Sequence, residues 1–420
     1  MKKLIFLAAV ACVALAGCTK KEAIQTVSDD TPIAFSPIAQ KAATKAQVYG
    51  EQNATYTAGT SPSYEKFLAY AAYTEDASTA PSVDFFPVAG VECVYNAATA
   101  PADYWAPATA YYWPKAGFLT FRAFSPSALD PCSGTVANTW ASGITIADFV
   151  ASTDMGQQVD VLYSDTEAYK QRSMYNPENG ALYDDKTGDD NTAWAHSGVN
   201  LTFRHALSSV QFRVITDQDY APASATAKHE FTVTKIEVLN VNNKGSFNEN
   251  RAAATGNAYA NAAAGSVTFN KDNSVANTPY WTPTATEVVT YPVFSGTQAV
   301  ATTGNFGDFG KAMLPMPQLL GGHGASADQD VTVKVTYNYT FTLNGTPHSY
   351  TGLTTQISLA GKKAQKYNGA TEEYTVNQWL INHKYLYTLV FKLDPIIFDP
   401  KVEAFVEVSD INIDLPYQNI

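Results

Sequence analysis

Few residues of this sequence are spaced for catalysis or for holding a metal ion. Both tasks need histidines, cysteines or carboxylates at characteristic spacings, because several side chains must converge on one atom. None of the six histidines shows a metal-ligand spacing: His196, His205, His229, His323, His348 and His383. His205 falls on the apolar face of a predicted strand, where a hydrogen-bonded core histidine is expected. The sequence predicts no catalytic residue, no metal site and no cofactor, and therefore no enzyme.

Three other stretches contain suggestive residue types but lack the partners that their chemistry requires. Asp308-Phe309-Gly310 matches a metal-binding triplet of kinases, without a phosphate loop or a catalytic loop beside it. The acidic run 184–191 has no bidentate glutamate to complete a calcium loop, so it predicts a solvated loop. The aromatic residues at 104–105 and 111–113 are the right type to stack on sugars. In so aromatic a chain, however, core packing is the expected role of these rings.

The most specific chemical signal lies at Cys18. Residues 2–3 are lysines, and residues 4–15 form an uninterrupted apolar run. This run is shorter than the roughly 20 residues needed to span a bilayer and is typical of a signal peptide. It ends in Leu-Ala-Gly-Cys at 15–18, which resembles the box of bacterial lipoproteins, in which the cysteine thiol takes a diacylglycerol and the new amine is acylated. Several acyl chains give lasting attachment, so the sequence predicts anchoring in outer-membrane lipid through acylated Cys18.

The remaining cysteines leave two alternatives open. Cys12 is removed with the predicted signal peptide and Cys18 carries lipid, which leaves Cys93 and Cys132. These two could form one disulfide in an oxidising compartment. The other interpretation is two buried free thiols.

Composition favours strands and excludes several classes of partner. Of the 420 residues 45% are apolar and only 16% are charged, against roughly 25% charged in an average soluble chain. The 25 Tyr, 21 Phe, 25 Gly and 21 Pro are typical of a β-protein punctuated by turns. A net charge of −12 excludes nucleic acid, because such a chain repels phosphate polymers.

Alternating apolar residues predict the strands themselves. The clearest strand spans 331–343, with apolar residues at every odd position, and it stops at Asn344-Gly345, a strong hairpin signal. Residues 201–207 and 210–214 alternate with opposite parity, which predicts a β-bulge near 208–209. Residues 67–73 are ambiguous between strand and helix, and 165–198 are predicted to be a long loop.

These patterns predict an all-β protein with two antiparallel β-sandwich domains after a lipoprotein signal peptide. The signal peptide would occupy 1–17, and a tether with the first strand, a possible propeptide, would occupy 18–46. The N-terminal sandwich would span 47–195 and the C-terminal sandwich 196–420.

Taken in order along the chain, several segments resemble the fimbrillin family. This family comprises the pilins and pilin-like, Mfa-like lipoproteins of type V fimbriae in Gram-negative anaerobes. The matching segments are the lipoprotein box, Ile33-Ala-Phe35 before 44–46, and the segments 112–126, 158–162, 201–210, 245–247, 314–318, 379 and 385–389. The resemblance runs from end to end of the chain, and its specificity comes from the order of the segments.

The resemblance implies transthyretin-like sandwiches and assembly by strand exchange. In the family, a trypsin-like protease cuts the lipoprotein after its first strand, and a strand from another subunit fills the groove that opens. The candidate exchanged strand carries Ile33, Phe35 and Ile38. The family commonly cuts after arginine, but the first arginine here is Arg122, so the candidate cleavage residues are Lys41 and Lys45.

The C-terminal strands are the candidate donor to a neighbouring subunit, with ordinary edge strands as the alternative. Their alternating residues are Val402, Ala404, Val406, Val408, Ile411, Ile413 and Leu415. The implied partners are other fimbrillin subunits, the same or related, and ligands on host or bacterial surfaces. The predicted function is a structural or accessory subunit of outer-membrane fimbriae that takes part in assembly and adhesion. The alternative function is a glycan-binding surface lipoprotein that does not polymerise.

Overall fold

The structure is a computed structural model that describes residues 33–40, 45–46, 66–76, 78–96, 104–114, 116–164, 167–170, 199–223, 225–249, 281–284, 288–321, 330–365, 373–381, 383–393, 397–401 and 410–414. Within these ranges every regular element is a β-strand except one 3-10 helix, Phe306–Phe309. The all-β prediction is therefore confirmed. In the described ranges we find no helix with the length and apolar character needed to cross a membrane.

The first half of the chain contributes short and medium strands. They are β1 (Phe35–Gln40), β2 (Lys45–Ala46), β3 (Lys66–Thr74), β4 (Val83–Asp84), β5 (Val91–Asn96), β6 (Tyr104–Pro107), β7 (Phe118–Ser125), β8 (Ser133–Thr139), β9 (Gly143–Val150), β10 (Leu162–Ser164), β11 (Glu167–Lys170), β12 (Val199–His205) and β13 (Ser209–Thr216).

The second half contributes the longest strands. They are β14 (Ala227–Asn242), β15 (Lys244–Asn248), β16 (Trp281–Pro283), β17 (Val288–Ala299), β18 (Gln318–Leu319), β19 (Thr332–Leu343), β20 (Thr346–Ser358), β21 (Lys362–Gln365), β22 (Glu373–Val376), β23 (Gln378–Trp379), β24 (Lys384–Phe391), β25 (Ile397–Lys401) and β26 (Asp410–Asp414).

The chain divides into two compact units that alternate along the sequence. The first unit is Met1–Pro37, Glu65–Ala123 and Asp165–Leu201, and the second is Ile38–Tyr64, Phe124–Ser164 and Thr202–Ile420. Residues 124–164 thus belong to the second unit although they precede the predicted border at 195 and 196. That border itself lies outside the described residues and stays a prediction.

The first unit is built on a sheet in which β1 is an inner strand. β1 lies between β12 and β6; β6 pairs with β5, and β5 pairs with β3. β3 also pairs with β4 and β7, and β11 pairs with β7. The ambiguous segment 67–73 therefore forms a strand, and its small alanine side chains let residues 69–72 all be buried.

The second unit contains a β-sandwich. Its six-stranded sheet has the order β13-β24-β25-β26-β21-β22, and its four-stranded sheet has the order β17-β14-β19-β20. Side chains from both sheets form one apolar core, and the rings of Phe231 and Tyr337 each lie 4.8 Å from the ring of Phe391 on the opposite sheet. Two smaller sheets, β16-β15-β9-β8 and β18-β23, accompany it, and β10 pairs with the ends of β7 and β12.

The predicted hairpin at Asn344-Gly345 is confirmed. Leu343 pairs with Thr346, and the two turn residues have φ angles of 50° and 78°. A two-residue turn of this kind needs positive φ at both positions, which asparagine and glycine tolerate best. The turn thereby fixes the register of β19 and β20 as far as the pair Tyr339 and Tyr350, beyond which the register shifts.

Two local predictions were wrong. The parity switch at 206–208 is not a bulge: β12 ends at His205, and β13 begins at Ser209 in the six-stranded sheet. In that sheet β13 pairs in parallel with β24. A parallel pair requires a long connection between its strands, and the intervening chain from 217 to 383 supplies one. Finally, the predicted loop 165–198 contains the strand β11, and its other residues lie outside the described part of the chain.

Candidate strand-exchange site

The apolar side chains at the start of the first strand are buried in the first unit. Ile33 and Phe35, the alternating apolar residues of the candidate exchanged strand, are 1% and 0% exposed. Burying such side chains contributes roughly 1.5–3 kcal/mol each. The side chain of Ile38 lies outside the described part of the structure, although its backbone belongs to β1.

Backbone hydrogen bonds hold this strand from both sides. The amide of Ile33 donates to the carbonyl of Tyr111 at 2.7 Å, and Phe35 pairs with Trp105 of β6. On the other side, the amide of Val199 donates to the carbonyl of Ala34 at 2.7 Å. Removing residues 33–35 would therefore expose backbone donors and acceptors on two neighbouring strands at once, and such groups are costly to leave unpaired.

The side chain of Phe35 occupies an aromatic pocket. Its ring meets Phe67 at 5.8 Å and Phe121 at 5.5 Å, both with interplanar angles near a right angle, 77° and 82°. Edge-to-face pairs of this kind add about 0.5–1.5 kcal/mol beyond the area they bury. Trp113 and Phe86 pack in turn on Phe121, with ring centroids 5.6 and 6.3 Å away. The pocket is thus a layer of rings with Phe35 at its centre.

The candidate cleavage residues lie just after this strand. Lys45 belongs to β2 and pairs with Gln40, while Ala46 pairs with Ala39. A protease must therefore open the pairing of β2 with β1 to cut after Lys45. Lys41 lies outside the described residues.

The described part of the candidate donor set is β26, which is paired on both sides within the six-stranded sheet. In β26, Ile413 pairs with Phe398 of β25, and Ile411 pairs with Ala364 of β21. The part of this candidate set that the structure describes is therefore in inner strands rather than at a free edge. Val402, Ala404, Val406, Val408 and Leu415 lie outside the described residues.

The cysteines that follow Cys18 are free thiols. Cys93 and Cys132 are both buried and unbonded to each other. Burial raises the pKa of the Cys93 thiol well above its usual value, and burial also raises the pKa of the Cys132 thiol. Both are therefore protonated and unreactive at neutral pH. Cys18 lies outside the described residues.

Two of the described histidines, His205 and His383, have structural surroundings. Nδ1 of His205 lies 2.7 Å from Oδ2 of Asp160, so this ring is held by a carboxylate partner in a strand pair. His383 is buried, its Nδ1 lies 2.7 Å from the carbonyl oxygen of Ile381, and burial lowers its pKa to about 4. Among the residues that the structure describes, no three histidine, cysteine or carboxylate groups are grouped as a metal site.

The aromatic residues that sequence reasoning singled out for sugar stacking are mostly core residues. Trp105 and Trp113 are 4% and 2% exposed, whereas Tyr112 is 40% exposed. Tyr95 packs on Trp105 at 4.7 Å, so that ring is covered. Among the side chains that the structure describes at these positions, the exposed rings do not form a continuous surface.

Sequence reasoning missed a different aromatic surface, on the sandwich of the second unit. We call it the aromatic row: His229 and Phe231 of β14, Tyr339 and Phe341 of β19, and His348 and Tyr350 of β20. The alternation in 331–343 and the Asn344-Gly345 turn already contained the signal. Together they place residue 350 opposite 339 and residue 348 opposite 341.

Comparison with known proteins gives matches among solved structures only. No family model matches the sequence, and no curated protein matches it either. A fimbrial protein from Bacteroides vulgatus is 14% identical, with a TM-score of 0.45, and the match covers 89% of this chain and 99% of that one. A Bacteroides uniformis protein assigned provisionally to cell adhesion is 11% identical, with a TM-score of 0.43 and coverage of 90% and 100%.

A third match is the tip fimbrial protein Mfa3 from Porphyromonas gingivalis, solved with a C-terminal truncation. It is 9% identical, with a TM-score of 0.31, and the match covers 84% of this chain and 95% of that one. All three solved structures are named as fimbrial or cell-adhesion proteins.

Proposed function

We propose that this protein is a structural or accessory subunit of surface fimbriae that assembles by exchanging its first strand. The observation that carries the proposal is the way in which residues 33–35 are held in the structure. Their apolar side chains are buried and their backbone is bonded from both sides. A strand held in this way can be replaced only by another strand that offers the same hydrogen bonds and fills the same pocket.

The order of the segments along the chain indicates which strand would be lost and which would replace it. The predicted lipid anchor at Cys18 precedes the strand, and the candidate cut at Lys41 or Lys45 follows it. A cut there breaks the covalent link between the body of the protein and both the anchor and the strand, so that the strand can then be displaced. The incoming strand is proposed to be residues 402–415 of a neighbouring subunit, whose apolar residues alternate as the groove requires.

Without a cut, the protein would keep its first strand and remain attached to the outer membrane. No arginine precedes Arg122, so a cut after the first strand requires a protease that accepts lysine. Where no such protease acts, the protein stays uncut. An uncut subunit would serve at the base of a fimbria or as an accessory lipoprotein. Both versions are non-catalytic roles at the cell surface.

Limited trypsin digestion of the purified full-length chain tests the proposal. We expect a cut at Lys41 or Lys45, identified by intact mass, and higher multimers on size-exclusion chromatography once the cut strand leaves. Lys41→Gln and Lys45→Gln, singly and together, identify the bond that is used. A cut chain that stays monomeric after its first strand has left would contradict strand exchange.

The groove itself can be tested with a matched pair of peptides. A peptide of residues 402–415 should bind the cut protein, whereas the same peptide with aspartate in place of Val402, Val406 and Val408 should not, because the apolar alternation is then lost. Binding of both peptides, or of neither, would contradict a groove that selects alternating apolar side chains. The uncut protein is the control, because its groove is already filled by Phe35.

A further inference from the structure

The aromatic row continues the core-facing side of the four-stranded sheet beyond the core itself. Tyr337 of β19 is buried against Phe391, but two and four residues further along the same face Tyr339 and Phe341 are only half-buried. Tyr350 is 37% exposed, and Leu343 at the tip is 52% exposed. The apolar face thus continues past the place where, among the described residues, the second sheet covers it.

The rings of the row share one orientation. Neighbouring rings are 4.8 to 6.4 Å apart between centroids, and their planes lie within 8° to 31° of parallel. The registers of three adjacent strands set this arrangement, because Tyr339 faces both Phe231 and Tyr350, and Phe341 faces both His229 and His348. Nδ1 of His229 lies 2.7 Å from the hydroxyl oxygen of Tyr339, which fixes both rings. The row is therefore preorganised on rigid strands.

The part of the hairpin that carries the aromatic row contains no charged side chain. Residues 335–361 contain no Asp, Glu, Lys or Arg, in a chain of net charge −12. Lys228 and Glu230 alternate with the row residues of β14 and so lie on the opposite face of the sheet. An ionic ligand would find no counter-charge on the hairpin, so the row fits a neutral ligand with apolar faces and hydrogen-bonding edges.

The size of the row favours a small chain-like ligand over a protein. A fully exposed aromatic side chain offers about 150–250 Å², and the six rings of the row are already largely covered by one another and by the core. What remains is of the order of a few hundred Å², whereas a stable protein interface needs about 800 Å² on each partner. A short run of sugar rings needs no more than the row provides.

We propose that the aromatic row binds a neutral polysaccharide, with sugar rings stacked along Tyr339, Phe341 and Tyr350 and with the two histidines and the tyrosine hydroxyls bonding sugar hydroxyls. This binding goes beyond strand exchange and does not depend on it, since the row lies on the sandwich of the second unit. It would give a fimbrial subunit, or an uncut surface lipoprotein, a ligand of its own.

Affinity electrophoresis of the uncut full-length protein tests this directly. Native gels would contain laminarin, galactomannan or oligomers of N-acetylglucosamine, with polygalacturonate as the anionic comparison. We expect at least one neutral glycan to retard the protein, with a Kd that changes less than twofold between about 50 and 200 mM salt, because no phosphate-like charge pairing is involved. Retardation by polygalacturonate alone, or by none of the glycans, would overturn the proposal.

Variants locate the site on the row. Phe341→Ala with Tyr350→Ala should raise the Kd at least tenfold, whereas Tyr350→Phe, which keeps the ring, should change it less than threefold. The matched control is Thr340→Ala with Ser349→Ala, because these two exposed residues bond each other at 2.9 Å on the opposite face of the same hairpin. An equal rise in the Kd of the control variant would overturn the assignment of the binding site to the aromatic row.

The same variants distinguish a second copy of the chain as occupant. Light scattering behind size-exclusion chromatography reports the oligomeric state of the uncut protein. We expect a mass that is the same for the wild type and for the Phe341→Ala, Tyr350→Ala variant. A dimer that this variant converts to monomer would identify the row as a self-association surface and would overturn the glycan proposal.

Discussion

The two aromatic clusters of this protein use the same residue types in opposite ways. Around Phe35 the rings meet edge to face and are sealed from water, and the strand that carries Phe35 is bonded on both sides. On the hairpin β19–β20 the rings are nearly parallel and half-exposed. The comparison teaches that aromatic content alone does not reveal a binding surface. What decides the role is whether a neighbouring element covers the rings.

The largest effect is expected from a substitution in the enclosed cluster around Phe35. Phe35→Ala removes the central ring of the pocket and should lower the free energy of unfolding of the first unit by about 3–5 kcal/mol. Urea denaturation followed by near-ultraviolet circular dichroism measures the loss. The matched variant on the exposed cluster is Tyr350→Ala. A loss below about 1 kcal/mol for Phe35→Ala would mean that the first strand is not seated in the pocket.

Acid should weaken the second unit through His383. Burial lowers the pKa of His383 to about 4, below its ordinary value of 6.5, so the unfolded chain binds a proton that the folded protein excludes. The contribution of this residue to stability is therefore present above pH 6.5 and is lost as the pH falls from 6.5 towards 4, by about 3 kcal/mol in total. Urea unfolding at about pH 7, 6, 5 and 4 measures the slope.

The variant His383→Gln checks the assignment, because it removes the buried imidazole. His383→Gln should flatten the slope between pH 6.5 and about 4. If this variant keeps the wild-type slope, another group causes the acid sensitivity.

The hairpin turn should show a smaller effect. Gly345 has a φ angle of 78° with no atom within 4 Å of an added Cβ, so Gly345→Ala meets backbone strain but no clash. We expect a loss of about 1 kcal/mol in thermal or urea unfolding. Gly361, with a φ of 74° and equally open surroundings, offers a matched comparison at the next turn. A neutral Gly345→Ala would show that the turn relaxes and does not fix the register of the row.

The smallest effect is expected at the exposed cluster. Tyr350→Ala removes a ring that is 37% exposed on an outer strand of its sheet, and it should change the free energy of unfolding by less than about 1 kcal/mol. Thermal unfolding measures the difference from the wild type. A loss as large as that of Phe35→Ala would mean that the row is core packing, and the contrast between the two clusters would disappear.

Local patterns in the sequence predicted the elements better than their partners. The hairpin at Asn344-Gly345 followed from alternation and turn chemistry, which act between neighbours in the chain. The pocket around Phe35 could not be predicted in the same way, because Phe67 and Phe121 come from distant strands. The parity switch at 206–208 was visible, but alternation cannot distinguish a bulge from a change of sheet.

The buried residues at the start of the first strand could be picked out from the sequence, but their hydrogen-bond partners could not. Ile33 and Phe35 were recognised by alternation with small residues, and the structure encloses both. That Val199 and Tyr111 would bond the strand from opposite sides has no local signal. The aromatic row was missed because the search for stacking residues followed runs of adjacent aromatics, whereas rings on one face of a sheet are two residues apart in each strand.

The burial and hydrogen bonding of the first strand determine when a cut subunit would leave the membrane. A single cut after Lys41 breaks one covalent bond but leaves Ile33 and Phe35 buried and the backbone bonds of the strand in place. If Cys18 carries lipid, a nicked protein would therefore stay on the membrane, held by its own fold, for as long as the strand remains seated. Departure would then be governed by displacement and not by proteolysis: each subunit would be retained until its successor arrives to take the place of the strand.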